Sequence, residues 1–491
     1  MTASGELDYL TATELVGLLA ARKVSSVELL ERAITRIEAT DSHINAVVVR
    51  DFERAHTAAK AADAALARGE RAPLLGLPMT VKESYNVAGL PTTWGFPAAR
   101  DFRAAEDALA VARVKAAGAV VLGKTNVPLS LADWQSYNEI YGTTNNPWDR
   151  GRTPGGSSGG SAAALAAGYV ALELGSDIGG SLRVPAHYCG VFAHKPTLNL
   201  VPSRGQVPPG VPPLPQEGDL AVIGPMARSA ADLAMALDIV AGPDEASAGI
   251  AYRLALPGPR HDALKDFRVL VLDTHPLVPT ATSVRAALDQ LADRLGKAGA
   301  KVARASPLLP DLATAGRLYT RLLWSFLAAF WPIDLYRGIE AAAKALPEHD
   351  NSLAAWQARG IVLSHRDWVA SDRERAVLRK RWQDLFGEWD VVLCPPMPTP
   401  AFPHDHTSDQ RARRIDIDGT PHPYLDQIMW PSIATVAGLP ATAMPIGISD
   451  TGLPIGVQII GPFLEDRTPL RLAQLIEREF GGFVAPPETR G

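Results

Sequence analysis

The most informative residues of this chain are Gly155-Gly156-Ser157-Ser158-Gly159-Gly160-Ser161 and, beyond an alanine-rich stretch, Gly175-Ser176-Asp177-Ile178-Gly179-Gly180-Ser181-Leu182-Arg183. These are two serine-bearing glycine turns flanking one helix. Glycine permits backbone conformations closed to other residues and lets a ligand approach the amides, so such turns can aim several N–H groups at one point. The amides of Ile178, Gly179, Gly180 and Ser181 are therefore candidates for an oxyanion hole, where removal of a single donor costs ~3 kcal/mol. Taken alone, a Gly/Ser run is more often a linker or a tight turn. Here both runs lie between apolar segments, residues 162–170 and 191–193, which puts them inside the fold.

A nucleophilic serine needs a base, and Met79-Thr80-Val81-Lys82-Glu83-Ser84 supplies one at the end of an apolar run. Lysine is a base only when neutral, and burial lowers its pKa by disfavouring the ammonium. The competing reading is a strand-end lysine in a surface ion pair with Glu83.

Outward from these motifs, residues 11–22 and 25–39 carry apolar side chains at helical spacing, and Ser25 with Glu28 has the layout of a capping box. Residues 51–69 read as a third helix. Strand 77–81, helix 104–117 and strand 119–122 follow, and strand 268–272, helix 282–298 and strand 301–303 repeat the pattern. A further buried strand is expected at 390–393. This alternation is that of an α/β protein whose sheet draws on segments far apart in sequence. Residues 201–217, rich in Pro and Gly, read as a surface loop. Residues 308–380 are helical, unusually aromatic and placed like a cap; Leu322, Leu323, Trp324, Phe326, Phe330 and Trp331 fit either a buried helix face or the lining of a pocket.

Of the 491 residues 47% are hydrophobic and 21% charged, which predicts a large apolar core and excludes wholesale disorder. The net charge of −5, without a Lys/Arg block, gives no reason to expect a nucleic-acid partner. Two cysteines, Cys189 and Cys394, fit a reducing compartment and cannot build a metal site. Residues 1–9 include Glu6 and Asp8 and no apolar run, unlike a signal peptide, and no apolar stretch approaches the ~18 residues of a membrane span. A cytoplasmic location is the expectation.

The motifs resemble the amidase signature family over nearly the whole chain, through Asn145-Asn146-Pro147-Trp148-Asp149 to Ala437-Gly438-Leu439-Pro440 and Leu453-Pro454-Ile455-Gly456-Val457-Gln458. The resemblance implies a single domain over 1–491, a large mixed β-sheet covered by helices on both faces, with 308–380 as a helical cap. It also implies a catalytic trio: Ser181 as nucleophile, Ser157 on a cis peptide as bridge and Lys82 as base, with Ser158 in support and Asp177 and Arg183 holding the nucleophile turn in shape. The expected activity is hydrolysis of amides, carbamates or esters bearing an apolar or aromatic group, by a monomer or homodimer without cofactor or metal. Candidate substrate contacts are Leu129, Trp134, Leu323, Trp324 and Phe326, then Ile428, Met429 and Trp430. The alternative is the amidase subunit of a tRNA-dependent amidotransferase, from which residues 195–200 and the proline-rich loop depart.

Two other motifs are set aside. Residues 118–125 match the phosphate loop by letter, but their centre is an apolar strand whose amides belong in a sheet. Gly155-x-Ser157-x-Gly159 fits a nucleophile elbow, which would require an acid and a histidine such as His187, His194, His404 or His406, and nothing selects one of these.

Overall fold

In the computed structural model, which describes residues 7–487, the strands at the centre of the molecule form a mixed eight-stranded sheet. Its order is Lys301–Ala303, Arg268–Val271, Val391–Cys394, Pro454–Ile460, Ala441–Ile448, Phe192–Lys195, Val222–Ala227 and Leu172–Asp177. The first three strands run parallel, and every later pairing is antiparallel. The expectation for the N-terminus rested in part on residues 1–6, which, like 488–491, lie outside the described residues. Among the described residues no helix is long and apolar enough to cross a membrane.

Side chains alternate along a strand, and both faces of this sheet are covered. Val269, Val271, Val391 and Leu393 point to one side, where they share a core with Leu288, Leu291 and Leu295 of helix Thr282–Lys297. Leu270, Val392 and Cys394 point to the other, toward helices Leu312–Leu327, His365–Glu388 and Met429–Ala437. Two apolar faces explain why these strands read as continuous apolar runs.

Lys82 belongs to a separate three-stranded sheet. Val120–Thr125 is its centre, antiparallel to Val47–Arg50 and parallel to Pro78–Lys82. The phosphate-loop look-alike is this central strand, with ladders on both sides. Pro78–Lys82 lies alongside Leu172–Asp177, the edge strand of the large sheet, and Thr80 Oγ1 donates to Glu173 Oε1 across the gap at 2.5 Å. That contact brings the lysine-bearing strand to the strand that ends in the nucleophile turn.

Local chemistry sets the helix ends. Ser25 and Glu28 form the expected capping box, but helix Ser26–Ile44 outruns residue 39 and stops at Asn45, whose φ is 59°. The buried Asp41 carboxylate accepts from Ala46 N and Val47 N, so the chain leaves the helix with its amides satisfied. The helix expected at 104–117 begins only at Leu109, because Asp107 is engaged by Ala88 N and Lys115 Nζ. Residues 201–217 are irregular, as expected. Within 308–380 the helices are Leu312–Leu327, Ile333–Lys344 and Leu353–Ile361, followed by His365–Glu388, which continues to the next strand.

Candidate active site

The edge strand ends at Asp177, and the chain turns through Ile178–Gly179–Gly180–Ser181 into the short helix Arg183–Cys189. Gly180 has φ +99° and lies against Val184 and Pro431, so a side chain there would be both strained and crowded. Asp177 accepts from Gly180 N at 2.9 Å and Leu182 N at 3.1 Å, and Arg183 meets the same carboxylate through Nε and Nη2. Arg183 continues to Pro431 O, Gln458 Oε1 and Thr435 Oγ1. Burial alone would raise the Asp177 carboxyl, but the guanidinium outweighs it and holds the group at about 2. The pair is fully buried, so the turn is fixed to the core by a network whose members are all partnered.

Two aromatic residues hold the other side of the turn. Trp134 Nε1 donates to Gly179 O at 2.9 Å, and Tyr319 OH donates to Ile178 O at 2.7 Å. With these carbonyls tied back, the amides of Ile178, Gly179 and Ser181 have no acceptor among the described residues. The four-donor expectation needs correction at Gly180, whose N–H is bound to Asp177 and is not available to a ligand.

Lys82 is fully buried, and its Nζ meets three hydroxyls: Ser157 Oγ at 2.6 Å, Ser176 Oγ at 2.9 Å and Ser158 Oγ at 3.0 Å. Burial lowers its pKa to about 7, opposed by the charges of Asp177 and Glu173. Glu173 is itself raised by burial to about 8, so its opposing charge is weak near neutrality. Glu83 does not form the surface ion pair considered from the sequence; it is buried and accepts from Thr93 N and Trp94 N.

The three hydroxyls around Nζ are not equivalent. Ser158 Oγ donates to Ser176 O at 3.3 Å, and Ser176 Oγ accepts from Gln206 Nε2 at 3.3 Å. A neutral amine has two N–H donors and one lone pair. With Ser158 and Ser176 placed as acceptors, the lone pair is left for the proton of Ser157, whose hydroxyl has no other partner among the described residues. The Gly156–Ser157 peptide is cis. Gly156 is required by its surroundings, since a Cβ would lie 2.3 Å from Asp133 O. Ser158 N donates to Ser181 O at 3.2 Å, which joins the two glycine turns. Ser157 Oγ and Ser181 Oγ are not hydrogen-bonded to each other; both residues open on the same cavity.

That cavity has a volume of about 570 Å³, within the usual range of small-molecule sites. Six of the eight expected contacts line it: Trp134, Leu323, Trp324, Phe326, Ile428 and Met429. The other two lie elsewhere. Leu129 is 49% exposed, and its neighbours Ser130 and Leu131 face the cavity instead. Trp430 is completely buried behind Met429, with its indole N–H on Thr280 Oγ1. Sequence reading assigned no role to Ser176, although it lies within the second glycine motif, and missed Gln206, Tyr319 and Gln357, which are ordinary polar residues outside any motif. The histidines are engaged elsewhere: His187 with Thr399 O and Gly456 N, His194 with Thr442 and Asp466, and His404 with Asn145. None of these, nor His406, lines the cavity, which leaves the nucleophile-elbow alternative without a histidine base among the described residues.

Comparison with known proteins places this geometry in context. The sequence model of the Amidase family matches residues 28–470. The chain is 35% identical to the putative amidase AmiB2 of Mycobacterium tuberculosis (strain ATCC 25618 / H37Rv), over 96% of each chain. It is 34% identical to a glutamyl-tRNA(Gln) amidotransferase subunit from Anaeromyxobacter dehalogenans (strain 2CP-C), over 99% of each. Among solved structures, a protein from a vestigial complex that bears on the origins of an s-triazine catabolic enzyme superimposes with a TM-score of 0.79 at 32% identity, covering 96% of this chain and 98% of that one.

Proposed function

The chain belongs to the amidase signature family, and from that premise we propose that it hydrolyses the carbon–nitrogen bond of small amides through an acyl-enzyme on Ser181. The observation that carries this reading is the Lys82 amine, buried, brought down to about 7 and 2.6 Å from Ser157 Oγ.

Neutral Lys82 takes the Ser157 proton as Ser157 takes that of Ser181, and Ser181 Oγ bonds to the substrate carbonyl carbon. The negative charge that develops on the carbonyl oxygen is met by the amides of Ile178, Gly179 and Ser181. The tetrahedral intermediate collapses with loss of the amine, which takes its proton back through Ser157. Water then enters, loses a proton along the same relay and releases the acid. Carbamates and esters present the same carbonyl and fall within the same chemistry. Trp134, Leu323, Trp324, Phe326, Ile428 and Met429 favour an apolar or aromatic substituent. Water is the only co-reactant, and the scheme assigns no cofactor.

Ser181→Ala is expected to abolish turnover of an aryl amide, and Lys82→Ala to reduce it by several orders of magnitude, because relay members act as a unit. Near-native turnover in either variant would remove the assignment. A second reading, the catalytic subunit of a tRNA-dependent amidotransferase, draws on the full-length similarity to the amidotransferase relative. Hydrolysis of a simple amide by the purified chain alone, without tRNA or ATP, separates the two; a chain inert until partners are added favours the second.

A further inference from the structure

Gln357 lies on helix Leu353–Ile361 and is only 7% exposed, yet its carboxamide has no hydrogen-bond partner among the described residues. Its amide atoms are not sealed in the core but open on the cavity, so a bound group can supply the partner that the protein does not. Gln135 and Gln458, also buried, are paired within the protein: Gln135 is bonded to the backbone of Asp405 in both directions, and Gln458 meets Arg183, Pro395 O and Trp430 O, whereas Gln427 donates to Tyr424 O and leaves its Oε1 unpaired among the described residues. Gln357, with Leu353 and Ala354 one turn before it on the same helical face, lines the cavity.

We propose that the cap end of the cavity is a subsite for a neutral hydrogen-bonding group that the substrate carries several bonds away from the scissile amide, and that Gln357 recognises it. The inference rests on the acyl-enzyme reading above and specifies its substrate class: amides with an apolar spacer and a remote, uncharged polar head such as a second amide, a ketone or a hydroxyl.

The spacer follows from helix Leu312–Leu327. Tyr319 fixes this helix to the nucleophile turn, and Phe326, seven residues on, is about 10 Å further along the axis. Leu323, Trp324, Phe326 and Leu327 line the cavity over that length. Helix Leu353–Ile361 packs closely on the same helix, with Gly360 against the backbone of Arg321. The neutrality of the head follows from the charges. Among the described residues, the acidic and basic side chains of the cavity wall other than those of the nucleophile turn are Asp133, Asp409, Arg411 and Asp426, none of them from the cap. Asp133 is neutralised by Arg413. An ionised head at the cap end would lose its hydration and meet no opposite charge from the cap, whereas a neutral one exchanges hydrogen bonds with water for bonds to Gln357.

The test uses anilides matched over a range of acyl lengths and ending in carboxamide, its isostere isopropyl, or carboxylate. At the best length the wild type should show kcat/KM at least tenfold higher for carboxamide than for isopropyl, and the carboxylate should be poorest. Gln357→Leu should reverse the order of the first two, with a Tm at or above that of the wild type, because no internal bond is lost. Gln357→Met should do the same and serves if the leucine variant does not fold. An unchanged carboxamide-to-isopropyl ratio in the variants, a carboxylate as good as the carboxamide, or a clear fall in Tm for both variants would overturn the subsite. Failure of the acyl-enzyme reading would show differently, as turnover of the whole series by Ser181→Ala.

Discussion

At the residue scale the decisive group is Lys82, whose chemistry depends on losing a proton near neutrality. Protonated, it can only donate; neutral, it can accept from Ser157. Its pKa is lowered, so the competent form grows as pH rises through about 7, and kcat/KM should climb along an acid limb near that value and then level. Lys82→Arg keeps a cation but cannot deprotonate, and should fall at least a thousandfold in kcat/KM at every pH from about 6 to 9. A flat profile in the wild type, or an active arginine variant, would exclude the lysine as base. Asp177→Asn is expected to destabilise the fold by about 3 kcal/mol in denaturant titration, since it leaves the fully buried Arg183 without its counter-charge. Residue identity was legible wherever a motif framed it, as for Lys82, Ser157 and Ser181. Orientation was not. Met429 and Trp430 are adjacent on one helix and so point about 100° apart, which is why one lines the cavity and the other packs against Thr280. Leu129 precedes two residues with positive φ, Ser130 and Leu131, and this local reversal, invisible in composition, turns it outward.

At the element scale, the glycines of the two turns are requirements of contact. A Cβ on Gly160 would lie 2.3 Å from Asn126 N, where helix Gly159–Ala166 starts against the strand that precedes Asn126. Gly160→Ala should therefore cost about 2 kcal/mol or more in stability and lower turnover with it. Gly296→Ala, at an exposed position of helix Thr282–Lys297 with nothing nearby, should leave turnover within twofold, which controls for glycine loss as such. Capping boxes and apolar runs made the helices and strands readable, because those signals are local. Helix Leu312–Leu327 is the instructive case. Its sequence allowed either a core face or a pocket lining, and the structure contains both: Leu322 is in the core, Leu323 belongs to the core and also lines the cavity, and Trp324 and Phe326 face the cavity. A wide apolar stripe cannot reveal where core ends and cavity begins.

At the scale of the whole molecule, the site exists because two sheets meet. Strand Pro78–Lys82 brings the base and the edge strand Leu172–Asp177 brings the nucleophile turn, while the cap and the segment around Met429 close the cavity above them. The α/β class followed from the alternation of elements. The sheet order did not, since it depends on pairings such as Ala441–Ile448 with Phe192–Lys195 that lie far apart along the chain. The claim that unites these scales is that the acyl group is transferred to Ser181 and to no other hydroxyl. It is tested most directly by quenching the enzyme during turnover of an aryl ester and locating the acyl mass by peptide-mapping mass spectrometry. The account predicts a single adduct on Ser181 in the wild type and none in Ser181→Ala. An adduct on Ser157, Ser158 or Ser176, or turnover by the Ser181→Ala variant, would contradict it.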